Sequence, residues 1–99
     1  MFQKFSDDIV QKVWEKGIIV SGTDANLRRK DICGAWIDKN MYGDRLSQNN
    51  NGWEIDHIKP ESEGGTDDLS NLRPLQWYNN ATKSDDRLTC PIKSKLTFM

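Results

Sequence analysis

The chain has 99 residues, of which 35% are hydrophobic and 29% are charged, with a formal net charge of −1. That length allows one domain, residues 1–99, and leaves no room for a second core. No apolar run reaches the length of about 18 residues that a membrane helix needs, and the amino end lacks the apolar run of a signal peptide. Nucleic-acid-binding proteins are usually basic, so a positive surface here must be a local patch, for which residues 28–30 are the densest candidate.

The two cysteines, Cys33 and Cys90, are too few for a disulfide framework and lack the Cys-x-x-Cys spacing of a zinc site. We therefore expect reduced thiols in a cytoplasmic protein, because the cytoplasm keeps cysteines reduced. A single disulfide bridge between the two residues is the alternative.

Residues 6–16 have the pattern of an amphipathic helix. Ser6 is a good N-cap, and the two acidic residues that follow it suit the positive end of the helix dipole. Phe5 and Val10 stand at the two positions of a hydrophobic staple. Gly17 is expected to end the helix as its C′ residue, and the apolar face of the helix is expected to pack on the core.

The middle of the chain holds weaker signals. β-Branched residues predict an extended segment at 18–20, and the apolar residues 33–37 favour a buried strand over a helix. The polar run that follows contains Asn50-Asn51-Gly52, a sequence typical of a turn that closes a hairpin into the next strand.

His57 is the only histidine of the chain, and it stands in a segment that alternates large apolar and polar side chains, residues 53–58. The alternation predicts a strand with Trp53, Ile55 and His57 on one face, and Pro60 should end that strand. Histidine is the side chain that exchanges a proton most readily near neutral pH, so His57 is the one candidate imidazole base.

The following residues complete a strand, loop, strand and helix pattern. Residues 61–68 are rich in turn formers and predict a loop. Residues 72–75 predict a second short strand, in which Pro74 indicates an edge position. The helical spacing of residues 76–83 predicts a helix. The carboxyl end, residues 88–99, is expected to be an extended tail packed on the core.

Several short motifs follow one another between residues 53 and 85. They are, in chain order, Asp56-His57-Ile58-x-Pro60, Gly64-Gly65, Asn71-Leu72-x-Pro74-Leu75 and Asn80-x-x-Lys83-Ser84-Asp85. Together they closely resemble the HNH endonuclease family, in the variant whose third signature residue is asparagine. The resemblance covers about a third of the chain and is specific, because separate motifs fall in the right order. It implies an α+β domain built round the ββα-metal fold, also called the His-Me finger, in which a hairpin and a helix clasp one divalent cation.

The resemblance also implies an activity, the cleavage of phosphodiester bonds in nucleic acid and most often in DNA, with 5′-phosphate and 3′-hydroxyl products. His57 matches the general base that deprotonates water. Asn71 matches the residue that braces the loop and helps to hold the histidine. Asp56 and Asn80 match the metal-ligand positions, and a carboxylate with an amide oxygen suits Mg²⁺ or Mn²⁺ better than zinc.

Strand geometry sets a condition on these roles. Asp56 and His57 are adjacent, and adjacent residues of an ideal strand point to opposite faces. For both to reach one site, the strand must bend or end there, as Pro60 and the glycines after it suggest. Taken alone, His57 has a simple alternative, a hydrogen-bonded histidine with a structural role.

The chain departs from the family pattern at one point. Many HNH proteins carry two Cys-x-x-Cys pairs around the motif, whereas the corresponding residues 76–79 contain no cysteine. We therefore predict no structural zinc, with Trp36, Trp53 and Trp77 supplying the packing in its place.

Contacts with nucleic acid are predicted for basic residues near the motif and in the densest basic run, namely Lys59, Arg73, Lys83, Arg28, Arg29 and Lys30. For each of them an ordinary solvated charge is the alternative. Because the chain is slightly acidic, a second hypothesis is a module that binds nucleic acid on the same scaffold without cutting it alone, and that needs a protein partner or a homodimer. RNA is the alternative to DNA as substrate.

Overall fold

The computed structural model describes residues 4–84 and 87–94. These residues form, in chain order, α1 (Asp7–Trp14), β1 (Arg28–Lys30), β2 (Trp36–Asp38), β3 (Trp53–His57), β4 (Leu72–Gln76) and α2 (Trp77–Ala81). The strands make two antiparallel two-stranded sheets, β1 with β2 and β3 with β4, which confirms the α+β class. Within the described residues, no helix is long and apolar enough to cross a membrane.

Helix α1 begins as the sequence predicts and ends earlier. The Ser6 side chain accepts a hydrogen bond of 3.2 Å from the backbone N–H of Ile9. The helix ends at Trp14 with a right-handed C-cap residue, so the prediction that Gly17 is the C′ stop is wrong. Gly17 is instead buried where the side chain of Arg29 crosses the backbone, and an added Cβ would lie 3.1 Å from Arg29 Cδ. Close packing therefore explains this glycine.

The basic run that follows is a strand, β1, which the sequence did not predict. Its turn into β2 is built by Asp31, whose Oδ1 accepts the N–H groups of Cys33 and Ala35 at 2.9 and 2.8 Å. Because that turn occupies the first part of the predicted strand 33–37, β2 begins only at Trp36. The predicted hairpin turn at 50–52 is wrong, since β2 pairs with β1 and not with β3.

The second sheet and its helix are the predicted ones, within two residues at each end. Strands β3 and β4 pair antiparallel, so that Asp56 lies opposite Arg73 and His57 lies opposite Leu72. Helix α2 follows β4 without a linker, because Gln76 Oε1 caps it by accepting the N–H groups of Tyr78 and Asn79. The result is a β-β-α unit. The last residue of the predicted motif, Asp85, lies outside the described residues, as do residues 95–99 of the predicted tail.

The core lies between α1 and the β3–β4 sheet. Its buried side chains are Val13, Trp14, Ile37, Trp53 and Leu72. Trp36 and Trp77 do not join it: both are partly exposed, with Lys30 Nζ 4.7 Å and Arg45 Cζ 5.3 Å from their ring centres. The predicted packing role is therefore confirmed in the core for Trp53, whereas Trp36 and Trp77 lie outside the core cluster.

The two cysteines are joined in a disulfide, Cys33–Cys90, and the prediction of reduced thiols is wrong. The bond links the turn between β1 and β2 to the carboxyl-terminal segment. Asn79 holds the same segment, because its side chain donates to the Ile92 carbonyl at 2.9 Å and accepts the Ile92 N–H at 2.8 Å. The argument from reduced thiols for a cytoplasmic location falls with the prediction, and the location itself stays a prediction.

Candidate active site

A cleft of about 250 Å³ opens where β3 ends and α2 passes it. It is lined by Ile55, Asp56, His57, Pro60, Glu61, Asn80 and Lys83. Side chains from the strand and from the helix thus border one space, although they lie far apart in the sequence. The strand ends at His57, so neighbouring residues on opposite faces both reach the cleft, as the sequence argument required.

Asp56 is the buried acid of the cleft, with 5% of its surface exposed. Arg73, its partner across the sheet, donates from Nε to Oδ2 at 2.8 Å, and Lys83 Nζ lies 2.5 Å from Oδ1. Lys83 also donates to the backbone carbonyl of His57 at 3.0 Å. Burying a carboxylate requires compensating charge, and these two cations supply it. Lys83 thereby connects α2 to the end of β3.

The His57 ring contacts acids that the sequence did not single out. Its Nε2 lies 2.7 Å from Asp67 Oδ1 and 4.0 Å from Glu61 Oε2. Lys4 Nζ lies 2.8 Å from Glu61 Oε2 and 3.7 Å from Asp67 Oδ1. The hydrogen bond with His57, followed by the charge of Lys4, holds the pKa of Asp67 below its ordinary value. These residues escaped the sequence argument because an acidic, turn-rich run is usually solvated loop.

Asn71 closes the loop between β3 and β4. Its Oδ1 accepts the Lys59 N–H at 2.8 Å, and its Nδ2 donates to the carbonyls of Lys59 at 3.1 Å and Thr66 at 2.8 Å. Its backbone carbonyl accepts the Ile58 N–H at 2.8 Å. Gly65 is required in the same loop, since a Cβ there would collide with the Lys59 carbonyl oxygen. Apart from the Thr66 contact, these hydrogen bonds lie on the backbone just after His57.

Asn80 is oriented by a pair that the sequence also missed. Its Nδ2 donates to Glu54 Oε1 at 2.8 Å. Glu54 in turn accepts from Arg45 at 2.5 and 2.7 Å, and this hydrogen-bonded partner raises the pKa of the Arg45 guanidinium. Because a carboxylate only accepts hydrogen bonds, it fixes which end of the amide faces it. The Oδ1 atom of Asn80 is therefore the end left for a ligand.

Comparison with known proteins identifies the family of this chain. The sequence model of the HNH endonuclease family matches residues 32–86, which is more than half of the chain. The chain belongs to the HNH endonuclease family. No curated protein and no solved structure matches it. Members of the HNH family are usually nucleases and generally bind a divalent metal ion, which connects this chain with nucleic-acid chemistry.

Two groups of side chains at the HNH site offer ligand atoms for a cation. Asp56 and Asn80, the pair that the sequence predicts, present a carboxylate and an amide oxygen on the same cleft. His57, Glu61 and Asp67 form the second group, with ligand-capable atoms that all lie within 4.8 Å of one another. The first group consists of hard oxygen donors, and the second adds an imidazole nitrogen.

The basic run 28–30 forms strand β1, and its three side chains have different surroundings. Arg29 is 7% exposed, and its guanidinium donates to the backbone carbonyls of Ala25, Glu15 and Gly17. Arg28 is exposed and paired with Asp38, Nε to Oδ1 at 2.6 Å. Lys30, whose ammonium lies over a tryptophan ring, pairs with no acid of the described residues. The placement supports the predicted nucleic-acid contact for Lys30 and not for Arg29, whose donors are used inside the fold.

The other predicted contacts lie nearer the HNH cleft. Lys59 is exposed two residues after His57 in the chain, and its side chain pairs with no acid in the part of the chain that the structure describes. Arg73 and Lys83 are both engaged with Asp56. A second groove of about 250 Å³ has cations on its lining, namely Lys16, Lys30 and Arg73.

Proposed function

We propose that this chain is a metal-dependent HNH endonuclease that hydrolyses phosphodiester bonds in DNA and leaves 5′-phosphate and 3′-hydroxyl ends. The observation that carries the proposal is the shared cleft, which Asp56, His57 and Asn80 line together. All three residues lie inside the part of the chain that the HNH family matches, residues 32–86. They have the residue types and the chain order that the HNH resemblance assigns to catalysis.

His57 acts as the general base. Its side chain is 15% exposed, so water reaches the ring while the surrounding fold limits its motion. An imidazole that is hydrogen-bonded at one nitrogen can take a proton from water at the other, as a general base requires. Asn71 supports this step by holding the backbone after His57 to the far side of the loop.

Asp56 and Asn80 are the residues that would hold a divalent cation, Mg²⁺ or Mn²⁺. Their oxygen donors fit such an ion, and the Glu54 hydrogen bond leaves Asn80 Oδ1 available. Each Asp56 oxygen carries an ion pair, and a carboxylate has about four lone-pair positions, so sharing with a metal is compatible with this geometry. When bound, the cation would stabilise the charge that develops on the phosphate and on the leaving oxygen.

DNA would reach the cleft over a limited positive surface. Lys59 is exposed two residues after the base in the chain, while Lys30 and Arg73 share the second groove. With a net charge of −1, few phosphates would be contacted, and non-specific affinity would be low. A single cleft cuts one strand at a time, so a double-strand cut would need two protomers or two events.

The ion pairs of Asp56 favour a second candidate function. Lys83 and Arg73 already balance this carboxylate, which lowers its need for a metal. On that basis the alternative is a module that binds nucleic acid on the HNH scaffold and cuts only with a protein partner, or not at all. Binding that weakens with salt, without turnover in Mg²⁺ or Mn²⁺, would favour this alternative.

The test of the nuclease proposal is cleavage of supercoiled plasmid DNA, and of RNA in parallel, with Mg²⁺, with Mn²⁺ and with EDTA. We expect metal-dependent nicking by the wild type and a loss of about a hundredfold to ten-thousandfold for His57→Ala. Circular dichroism should show both proteins folded, because the ring lies at the cleft and outside the core. An inactive wild type, or a variant as active as the wild type, would refute the proposal.

A further inference from the structure

The two nitrogens of the His57 ring have different surroundings. Nε2 lies 2.7 Å from Asp67 Oδ1. Nδ1 has no hydrogen-bond partner among residues 4–84 and 87–94. Across those residues, every buried side-chain nitrogen or oxygen has a partner, so Nδ1 is not buried and solvent reaches it. One ring nitrogen is thus held by a carboxylate, and the other is open.

The chain holds Asp67 in place from two directions. Asn71, which closes the loop, donates to the carbonyl of the preceding residue, Thr66, at 2.8 Å. Lys4 Nζ lies 3.7 Å from the Asp67 oxygen that meets the ring, and 2.8 Å from Glu61. Glu61 itself stands 4.0 Å from the same ring nitrogen, beyond hydrogen-bonding distance. Of these two acids, Asp67 is therefore the one within hydrogen-bonding distance of the imidazole.

We propose that Asp67 is the positioning residue for the general base: it accepts the Nε2–H of His57, selects that tautomer and leaves Nδ1 to take the proton from water. This inference rests on the proposed function. In the step, one O–H bond of water breaks and its proton goes to Nδ1, while the water oxygen bonds to phosphorus and the bond between phosphorus and O3′ breaks. The leaving O3′ takes a proton from solvent water and becomes the 3′-hydroxyl. The imidazolium that forms then carries its charge beside the Asp67 carboxylate, which stabilises it.

The kinetic test compares Asp67→Ala and Asp67→Asn with Asp68→Ala. Asp68 is the matched control, because it is the adjacent acid and makes no described contact with His57. We expect Asp67→Ala to lower kcat by about tenfold to a hundredfold with KM almost unchanged. The kcat of Asp67→Asn should lie between those of the wild type and Asp67→Ala. The amide oxygen of asparagine still accepts the hydrogen bond, but the neutral side chain no longer offsets the positive charge of the imidazolium. Asp68→Ala should match the wild type.

The spectroscopic test uses ¹⁵N-labelled histidine, for which the chain gives one imidazole spectrum. We expect the neutral ring to carry its proton on Nε2 and that proton to exchange slowly with water, because it is hydrogen-bonded. Asp67→Ala should remove the slow exchange, and Asp68→Ala should retain it. This measurement does not depend on cleavage, so it tests the positioning role of Asp67 separately from the proposed nuclease function.

The outcomes are distinguishable. If the wild type cuts and Asp67→Ala has the same kcat, the positioning role is wrong and the proposed function stands. If the wild type does not cut, the proposed function fails, and the spectrum then decides whether Asp67 orients the ring. A proton on Nδ1, or an Nε2 proton unaffected by Asp67→Ala, would overturn the inference.

Discussion

Asn71 makes side-chain hydrogen bonds that only an amide can make together. It accepts from one backbone N–H and donates to two backbone carbonyls across the loop. We expect Asn71→Ala to lower the free energy of unfolding by about 2 kcal/mol, since three backbone groups lose their partner. Asn71→Asp keeps the acceptor and loses the donors, so it should lie between. Urea denaturation measures the free energy of unfolding of both variants. A value for Asn71→Ala equal to that of the wild type would contradict this account.

Asp67 gives the protein a predictable response to acid. The hydrogen bond with His57 is the largest cause that lowers its pKa in the folded state. A carboxyl with a depressed folded pKa contributes stability above its unfolded pKa of about 3.9, and loses it as the pH falls through the folded value. Stability measured by urea should therefore decline more steeply below about pH 4 in the wild type than in Asp67→Asn. If stability fell with pH in the same way in both proteins, the depressed pKa of Asp67 would be contradicted.

The motif residues themselves were predictable from the sequence, and their partners were not. His57 and Asn80 were found because the motif spacing is local and specific. Asp67 and Glu54 were not, because an acid in a loop or on a strand has no distinctive spacing. One feature of the sequence could have indicated Asp67. The acidic run 61–68 lies in the loop that directly follows the only histidine of the chain, so an acid of that loop can fold back onto the ring.

Strand β1 places neighbouring cations in opposite environments. Arg29 points inward and Lys30 outward, because side chains alternate along a strand. We expect Arg29→Ala to lower the free energy of unfolding by about 3 kcal/mol, since it leaves buried carbonyls without donors. Lys30→Ala should leave stability unchanged and reduce the salt slope of DNA binding by about 1.

Fluorescence-detected denaturation and DNA titration at several salt concentrations measure the two effects. Each variant controls for the other, because the substitutions are adjacent and both remove one positive charge. Equal effects on stability would show that the strand does not separate the two side chains. An unchanged salt slope would remove Lys30 from the proposed DNA surface.

Helix α2 is short, spanning Trp77–Ala81, and it depends on its surroundings. The Cys33–Cys90 bond and the Asn79 hydrogen bonds hold the carboxyl-terminal segment against it. We expect Cys90→Ser to lower the free energy of unfolding by about 2–4 kcal/mol, because the bond closes a long loop. Hydrogen exchange at α2 should become faster.

The matched control for this prediction is Cys33→Ser, alone and combined with Cys90→Ser. All three variants should be equally destabilised, because each removes the same bond. A dithiol reductant should change the wild type to the same extent and leave the variants unaffected. A stability that is insensitive to the reductant would contradict the role given to the bridge.

The elements divide into those that local pattern determines and those that packing determines. Strand β3, strand β4 and helix α2 follow from alternation, a proline and helical spacing, and all three were predicted. Strand β1 was missed, because Arg-Arg-Lys has no strand pattern by itself. It becomes a strand because Arg29 reaches carbonyls near α1 and because the Asp31 turn brings β2 alongside.

Metal binding should increase the stability of the whole molecule. An ion that binds the folded chain and not the unfolded one raises stability, by about 2.7 kcal/mol at one hundred times the dissociation constant. We expect Mn²⁺ to raise the Tm of the wild type and Asp56→Asn to abolish that increase. EDTA should reverse it.

Lys83→Met is the informative companion variant, because it removes the cation 2.5 Å from Asp56 Oδ1 while retaining the apolar stem. We expect a lower Tm without metal and a larger increase with Mn²⁺ than in the wild type. Thermal denaturation in a Mn²⁺ titration measures both. An equal increase in the two proteins would show that Lys83 does not compete with the ion.

The sequence by itself determined the β-β-α unit, its family and the residues of the signature, because those features depend on spacing within a short segment. The tertiary structure decided the rest. It determined that Asp67 holds His57, that Lys83 and Arg73 balance Asp56, that Arg29 is buried and that the cysteines are joined. Each of these depends on contacts between different segments of the folded chain. Burial and charge pairing select those contacts, and no local sequence pattern encodes them.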